Sequence, residues 1–279
     1  MTTTRWRRSV LPGFPLAMGV TMGYLSLIVL LPLCALLLQA MDIGWTRFFA
    51  ILSSPRTLAA FKVTFLAAAG ATLFNAVYGL ALAWVLARYQ FPGKRILDAL
   101  VDVPFALPTA VAGLALATLF AQNGWFGAPL AQLGVTVIFT PLGIAVAMAF
   151  TALPFVVRQV QPVLEDVSAE VEEAALTLGA SDWKIFRAII FPAIFPAFLA
   201  GCSLGFARSI GEFGAIIFIA GNKPNYSEIA ALLTFIRLEE YDYPAAATIS
   251  TALLLCAFLL LTFTNLLQAW HLRYIGRED

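Results

Sequence analysis

Glu165, Asp166, Glu170, Glu172 and Glu173 put five carboxylates within nine residues of a chain in which charged residues make up only 12%. A cluster of that density is excluded from hydrocarbon, and its chemistry is that of a charged face offered to water or to a partner's basic and hydrogen-bonding groups. A second candidate is the pair Arg208 and Glu212, four residues apart inside an apolar run. On a helix these two share a face and partly neutralise each other, whereas an unpaired Arg at mid-bilayer costs about 3 kcal/mol on insertion scales. The pair serves either as a structural or gate-stabilising contact or as a direct contact for a passing anion. Asp102, about one turn into another apolar run, either snorkels or caps a helix, or takes part in transport. Bond-making has less support. Gly201 to Gly205 reads GCSLG and fits G-x-S-x-G, but that motif needs a strand-to-helix turn and a nearby histidine. Here the surrounding sequence is apolar and helical in pattern, and the lone histidine, His271, is far along the chain. No G-x-x-x-x-G-K-[ST] phosphate loop occurs in the sequence, so ATP, if used, is bound by another subunit.

Spacing indicates which elements must position the acidic cluster. Val167, Val171, Ala174 and Leu178 recur at helical intervals, which predicts a short helix with one apolar stripe, and Gly179 stands where helices end in a left-handed residue. Ser181 is placed to cap a second helix, with Asp182 in its first turn and Lys184 and Arg187 further along, in keeping with the helix dipole. Pro192 and Pro196 then disturb the next apolar run. This pattern predicts a helix-turn-helix elbow, residues 158–192, projecting from a membrane. Composition alone is equally compatible with an interfacial amphipathic loop joining two spans.

Around the elbow the 279-residue chain is 61% hydrophobic, with mean hydropathy +0.88, and apolar runs of about twenty residues recur. An all-α, polytopic membrane protein follows, with six spans expected at Phe14–Gln39, Leu58–Ala87, Leu97–Ala121, Thr140–Val157, Ala193–Ala220 and Ala245–Ala269. With a cytoplasmic amino terminus, the inner segments hold Arg5, Arg7, Arg8, Arg88, Lys94, Arg95, Arg158, Lys184, Arg187, Arg273 and Arg277 of the 17 Lys and Arg. The positive-inside rule therefore places both termini and the elbow in the cytoplasm. A net charge of +1 gives no case for nucleic acid. Cys34, Cys202 and Cys256 fall inside spans and are expected to pack as small apolar residues, with no metal site.

Several further features bear on the bundle. Pro104 and Pro108, four residues apart in the third span, free backbone carbonyls that lipid cannot satisfy, so that end is expected to be buried or cavity-lining. Pro154 offers a kink ahead of the elbow. Gly201, Gly205, Gly211 and Gly214 thin the fifth span and place it in the middle of the bundle. The GxxxG pair Gly19 and Gly23 is common by chance in membrane segments. Gly221 to Pro244 carries charges of both signs, as an ordinary solvated loop or a docking surface would.

Glu173, Ala174 and Ala175, followed by Gly179 and by Ile189, Ile190, Phe191 and Pro192, resemble the EAA signature of bacterial ABC importer permeases, with Phe191 where the I-x-L-P consensus has leucine. The blocks DVPFALPTAVAG (Asp102–Gly113), GIAVAMAF (Gly143–Phe150), RSIGEFGA (Arg208–Ala215) and YDYPAA (Tyr241–Ala246) are similar to the T-type permease subunit of sulfate/thiosulfate importers. The resemblance covers nearly the whole chain. It implies the type I ABC importer permease fold, one transmembrane domain over residues 1–279, and the bacterial inner membrane. By the same likeness Glu173, Ala174, Ala175 and Gly179 couple to an ATPase, the small side chains letting it approach closely. Arg208, Glu212 and Asp102 become candidates for the pathway or gate. The implied partners are a W-type permease in a heterodimer, an ATPase dimer carrying the ATP and Mg, a periplasmic sulfate-binding protein and membrane lipid. No cofactor is expected on this chain, which is then no enzyme. Other readings are a homodimeric molybdate or tungstate permease, an ion-driven secondary carrier, for which inverted repeats are not evident, and a membrane-embedded enzyme.

Overall fold

A computed structural model describes residues 13–275, with side chains described as far as Thr264 and at Leu266. Arg5, Arg7, Arg8 and Arg277 lie outside the described residues, as does the side chain of Arg273. Among the described residues every regular element is helical: α1 (Phe14–Asp42), α2 (Trp45–Leu52), α3 (Pro55–Arg88), α4 (Lys94–Val101), α5 (Val103–Ala106), α6 (Thr109–Leu119), α7 (Gly127–Gln132), α8 (Pro141–Asp166), α9 (Ala169–Thr177), α10 (Asp182–Ile210), α11 (Ile216–Ile219), α12 (Ala230–Glu239) and α13 (Tyr243–Ile275). Five of these, α1, α3, α8, α10 and the described part of α13, are long and apolar enough to cross a membrane.

Proline chemistry explains where the helices bend, widen or stop. Two π turns, Ser26–Leu30 in α1 and Phe186–Ile190 in α10, each end just before a proline, Pro32 or Pro192. A proline ring clashes with the carbonyl four residues back, and a π turn admits one extra residue, which gives that carbonyl room. In α10 the buried residues accordingly step from Ile185 to Ile190 and then to Ile194.

The expected third span, Leu97–Ala121, is not one helix. Pro104 removes a donor, and Leu107, the residue before Pro108, is extended at φ −80°, ψ 136°. Residues preceding proline are pushed out of the helical region, so the chain proceeds as α4, α5 and α6. The expected fifth span, Ala193–Ala220, is also corrected at both ends. Its helix begins in the elbow, at Asp182, and stops at Ile210, because Gly211 and Gly214 disfavour helix and Glu212 folds back to accept the Ala215 N–H at 2.9 Å. The fourth helix likewise runs past the expected Val157 to Asp166 and keeps both Pro154 and Pro162 inside it.

Helices α3, α8 and α10 form the centre of the bundle, and small residues let them close. Gly79 on α3 and Gly201 on α10 both meet Val156 of α8: a Cβ on Gly79 would lie 3.0 Å from the valine Cβ, and one on Gly201 only 2.8 Å from its Cα. The expected central position of the Gly201 and Gly205 segment is found. Helix α13 packs on α10 and α12, and the second half of α1 packs on α13. Nothing in the described chain approaches Gly19 or Gly23.

Candidate coupling elbow and charged sites

The elbow forms with narrower bounds than the expected 158–192: residues 158–166 continue α8, which leaves Glu165 and Asp166 at its end rather than on the short helix, and residues 182–192 belong to α10. Ser168 accepts the Glu170 N–H at 3.2 Å to open α9, and Gly179 closes it at φ +80°. Nothing lies within 4 Å of where its Cβ would be, so the glycine is needed for its backbone conformation rather than for space within this chain. Ser181 accepts the Lys184 N–H at 3.4 Å and starts α10. The elbow thus joins α8 to α10 through one short helix and one left-handed turn.

Its faces are sorted in an unusual way for an amphipathic helix. The charged Glu172 turns inward, where it meets Arg88 of α3 at 2.5 Å, and Arg88 also lies over the Trp84 ring. Ala175, Ala180 and Phe186 pack on the bundle beside it. Val171, Leu176, Leu178 and Trp183 point away, with Leu178 89% exposed. Glu173, Ala174 and Gly179 are exposed as well. Of the four expected coupling residues, only Ala175 is half-buried against its own chain.

Arg208 and Glu212 meet as expected, although the helix ends between them. Glu212 Oε2 lies 2.6 Å from Arg208 Nη1, without an aligned N–H, so the attraction is one of charge rather than a directed hydrogen bond. The carboxylate is 1% exposed and its other oxygen holds the Ala215 N–H, whereas the guanidinium is 35% exposed. The turn carrying Glu212 is pressed against α6. A Cβ on Gly113 would run into the Ala215 carbonyl, and one on Gly214 into the Thr109 hydroxyl.

Asp102 belongs to a different site. Arg158 of α8 donates from Nε and Nη2 to its two carboxylate oxygens at 2.8 and 2.7 Å. The same guanidinium donates to Asp98 Oδ1 at 2.7 Å, to the Asp98 carbonyl at 2.8 Å and to Gln161 Oε1 at 3.0 Å. Sequence reading misses Arg158 as a site residue. A signal was present: Asp98 and Asp102 are a like-charge pair at i and i+4, which repels unless a cation sits between them. A fourth charged contact, Arg56 with Glu228, seals the opposite end of the bundle; Arg56 holds the carboxylate through Nε at 2.9 Å and Nη2 at 2.6 Å, and Glu228 is 1% exposed.

Residues 79–276 match the family described as the binding-protein-dependent transport system inner membrane component. The chain is 53% identical to the "Sulfate transport system permease protein CysT" of Salmonella typhimurium and to that of Escherichia coli, covering 94% of this chain and 95% of each relative. The protein of the same name from Synechocystis sp. is 49% identical over 91% of this chain and 89% of its own. Among solved structures, a chain of the bacterial alginate ABC transporter superposes with a TM-score of 0.74 at 16% identity, covering 91% of this chain and 93% of that one. A chain of the inward-facing MetNI methionine ABC transporter gives 0.60 at 15% identity, over 77% and 95%. At these identities the structural likeness speaks for the fold alone.

Proposed function

Because the chain belongs to the binding-protein-dependent transport system inner membrane component family, and within it to the CysT sulfate transport permeases, we propose that it is a pore subunit of an ATP-driven sulfate and thiosulfate importer. The observation that carries this assignment is the 53% identity to the CysT permeases, and the elbow supports its coupling part, because its apolar residues Val171, Leu178 and Trp183 are exposed beside Glu173 and Gly179. A surface-exposed apolar patch with a charged rim marks a protein interface, and here the partner is a separate ATPase that binds the ATP and Mg.

In the same proposal the broken α4–α6 segment supplies the sixth crossing and both termini are cytoplasmic, as the basic residues require. The chain sits in the bacterial inner membrane beside a second, W-type permease and receives sulfate from a periplasmic binding protein. It makes and breaks no bond. Because the elbow is continuous with both α8 and α10, closure of an ATPase pair moves two central helices at once, and each conformation is favoured by the nucleotide state that binds it better. Arg208, half open beside its buried partner, offers N–H donors to an oxyanion where the helix ends, with Glu212 limiting how long the anion stays.

The test is uptake of radiolabelled sulfate in cells lacking this chain, complemented by wild type or by a Glu173→Ala, Gly179→Val variant, with molybdate measured in parallel. Rescue of sulfate uptake by wild type alone is the expected result. Unchanged sulfate uptake with altered molybdate uptake overturns the substrate.

A further inference from the structure

The Arg158 cluster has a geometry that stability does not account for. Its members are 30% to 50% exposed, and ion pairs open to solvent contribute little net stability. Yet all five guanidinium N–H groups are used, and Asp102 is held by two parallel bonds. Such bonding fixes orientation more than it adds energy. What it orients is a crossing that, among the described residues, is broken into three short helices. Asp98 lies on α4, Asp102 at the break before α5, and Phe105 on α5 packs edge-on against Phe155, three residues before Arg158 on the same helix. In the other direction Gln161 donates to Glu165 at 3.1 Å, one residue before α8 gives way to the elbow. Beyond α5, α6 presses Thr109 and Gly113 onto Gly214 and Ala215, in the turn that holds Glu212.

We infer that Arg158 is a positioning residue that clasps the broken α4–α5 segment to α8, so that α6 follows α8 and stays against the Glu212 turn, which α10 carries from the elbow, instead of slipping at Pro104 and Pro108. This inference rests on the importer function proposed above. A broken helix transmits displacement only if its pieces are held to something rigid, and here the arginine holds α4 and the junction after it to α8, while Phe105 on Phe155 holds α5.

The test uses the full transporter in proteoliposomes and reads radiolabelled sulfate moved per ATP hydrolysed, for wild type, Arg158→Lys and Arg158→Gln. Lysine keeps the charge but cannot reach Asp98, Asp102 and Gln161 together in a fixed fork. The expected result is an assembled complex with its ATPase retained, ATP hydrolysis within twofold of wild type, and sulfate per ATP reduced about tenfold in both variants. A normal ratio in Arg158→Lys overturns the proposal even if Arg158→Gln fails to assemble, because charge alone then suffices. Loss of assembly in both, or hydrolysis and uptake falling in step, also overturns it and leaves the cluster a folding contact. If the wild-type complex moves no sulfate on ATP, the importer function fails and the clasp with it.

Discussion

Two charged segments flank α10, and they dispose of their side chains in opposite ways. On one side the elbow keeps Glu172 inward on Arg88 and turns Val171, Leu178 and Trp183 outward. On the other, residues 221–244 turn Ile229, Leu232 and Leu233 inward, bury Glu228 on Arg56, and leave Glu239 and Tyr241 at the surface. In sequence both look like polar connections between apolar runs. The difference is that the second buries Ile229, Leu232 and Leu233 within the chain, through α12 packed on α13 and α3, and leaves Phe235, Leu238 and Tyr241 exposed, whereas the first buries none of Val171, Leu178 and Trp183, the residues proposed to meet another molecule. Charge content does not tell a closure from a docking surface; the direction of the apolar stripe does.

That contrast can be broken by exchanging readouts. The largest effect is expected for Glu228→Ala, which strands Arg56 and costs about 3 kcal/mol, the low end for a buried pair because Arg56 keeps some water. Thermal denaturation of the purified complex should shift clearly downward while the ATPase still co-purifies; loss of the ATPase would make residues 221–244 part of docking. Next is Gly179→Trp, which imposes a bulky side chain at φ +80° on the exposed face and should weaken ATPase binding by about 2 kcal/mol, roughly 30-fold. Membrane insertion should be normal, and undiminished co-purification would remove the elbow from the interface. The smallest is Glu212→Gln, which leaves Arg208 facing a neutral amide at a cost of about 1 kcal/mol, or some fivefold in uptake. Glu239→Gln, at an exposed residue, is the control, and equal effects of the two would deny the intramembrane pair any special place.

The elbow was legible in the sequence because each of its determinants is local. Ser181 caps three residues on, Gly179 needs only its own φ, and the apolar stripe repeats every turn. The inward turn of Glu172 was not legible, since it depends on Arg88, which lies 84 residues away across the packed bundle. The pairs Arg56 with Glu228 and Asp102 with Arg158, 172 and 56 residues apart, depend in the same way on which helix faces meet. The corrected spans have a local cause that hydropathy averages out. A window over Ala193–Ala220 registers apolar content, while Gly211, Glu212 and Gly214 end the helix through backbone freedom and one side-chain acceptor. The spacing of Pro104 and Pro108 shows only that backbone carbonyls are freed within the third span; the break itself comes from Leu107, which goes extended ahead of the second proline.

The π turn at Phe186–Ile190 has a consequence for rotational phase. Each residue of an α-helix advances the azimuth by roughly 100°, so the one extra residue before Pro192 sets the compass bearing of the elbow's second leg relative to the rest of α10. Ile185 reaches the bundle in line with Ile190 and Ile194 only because of that added step, and Trp183 is thereby aimed outward. Deleting a single residue between Ile185 and Ile190 would leave composition, hydropathy and span length almost unchanged, yet would swing the face that carries Trp183 around the helix axis by more than a quarter turn.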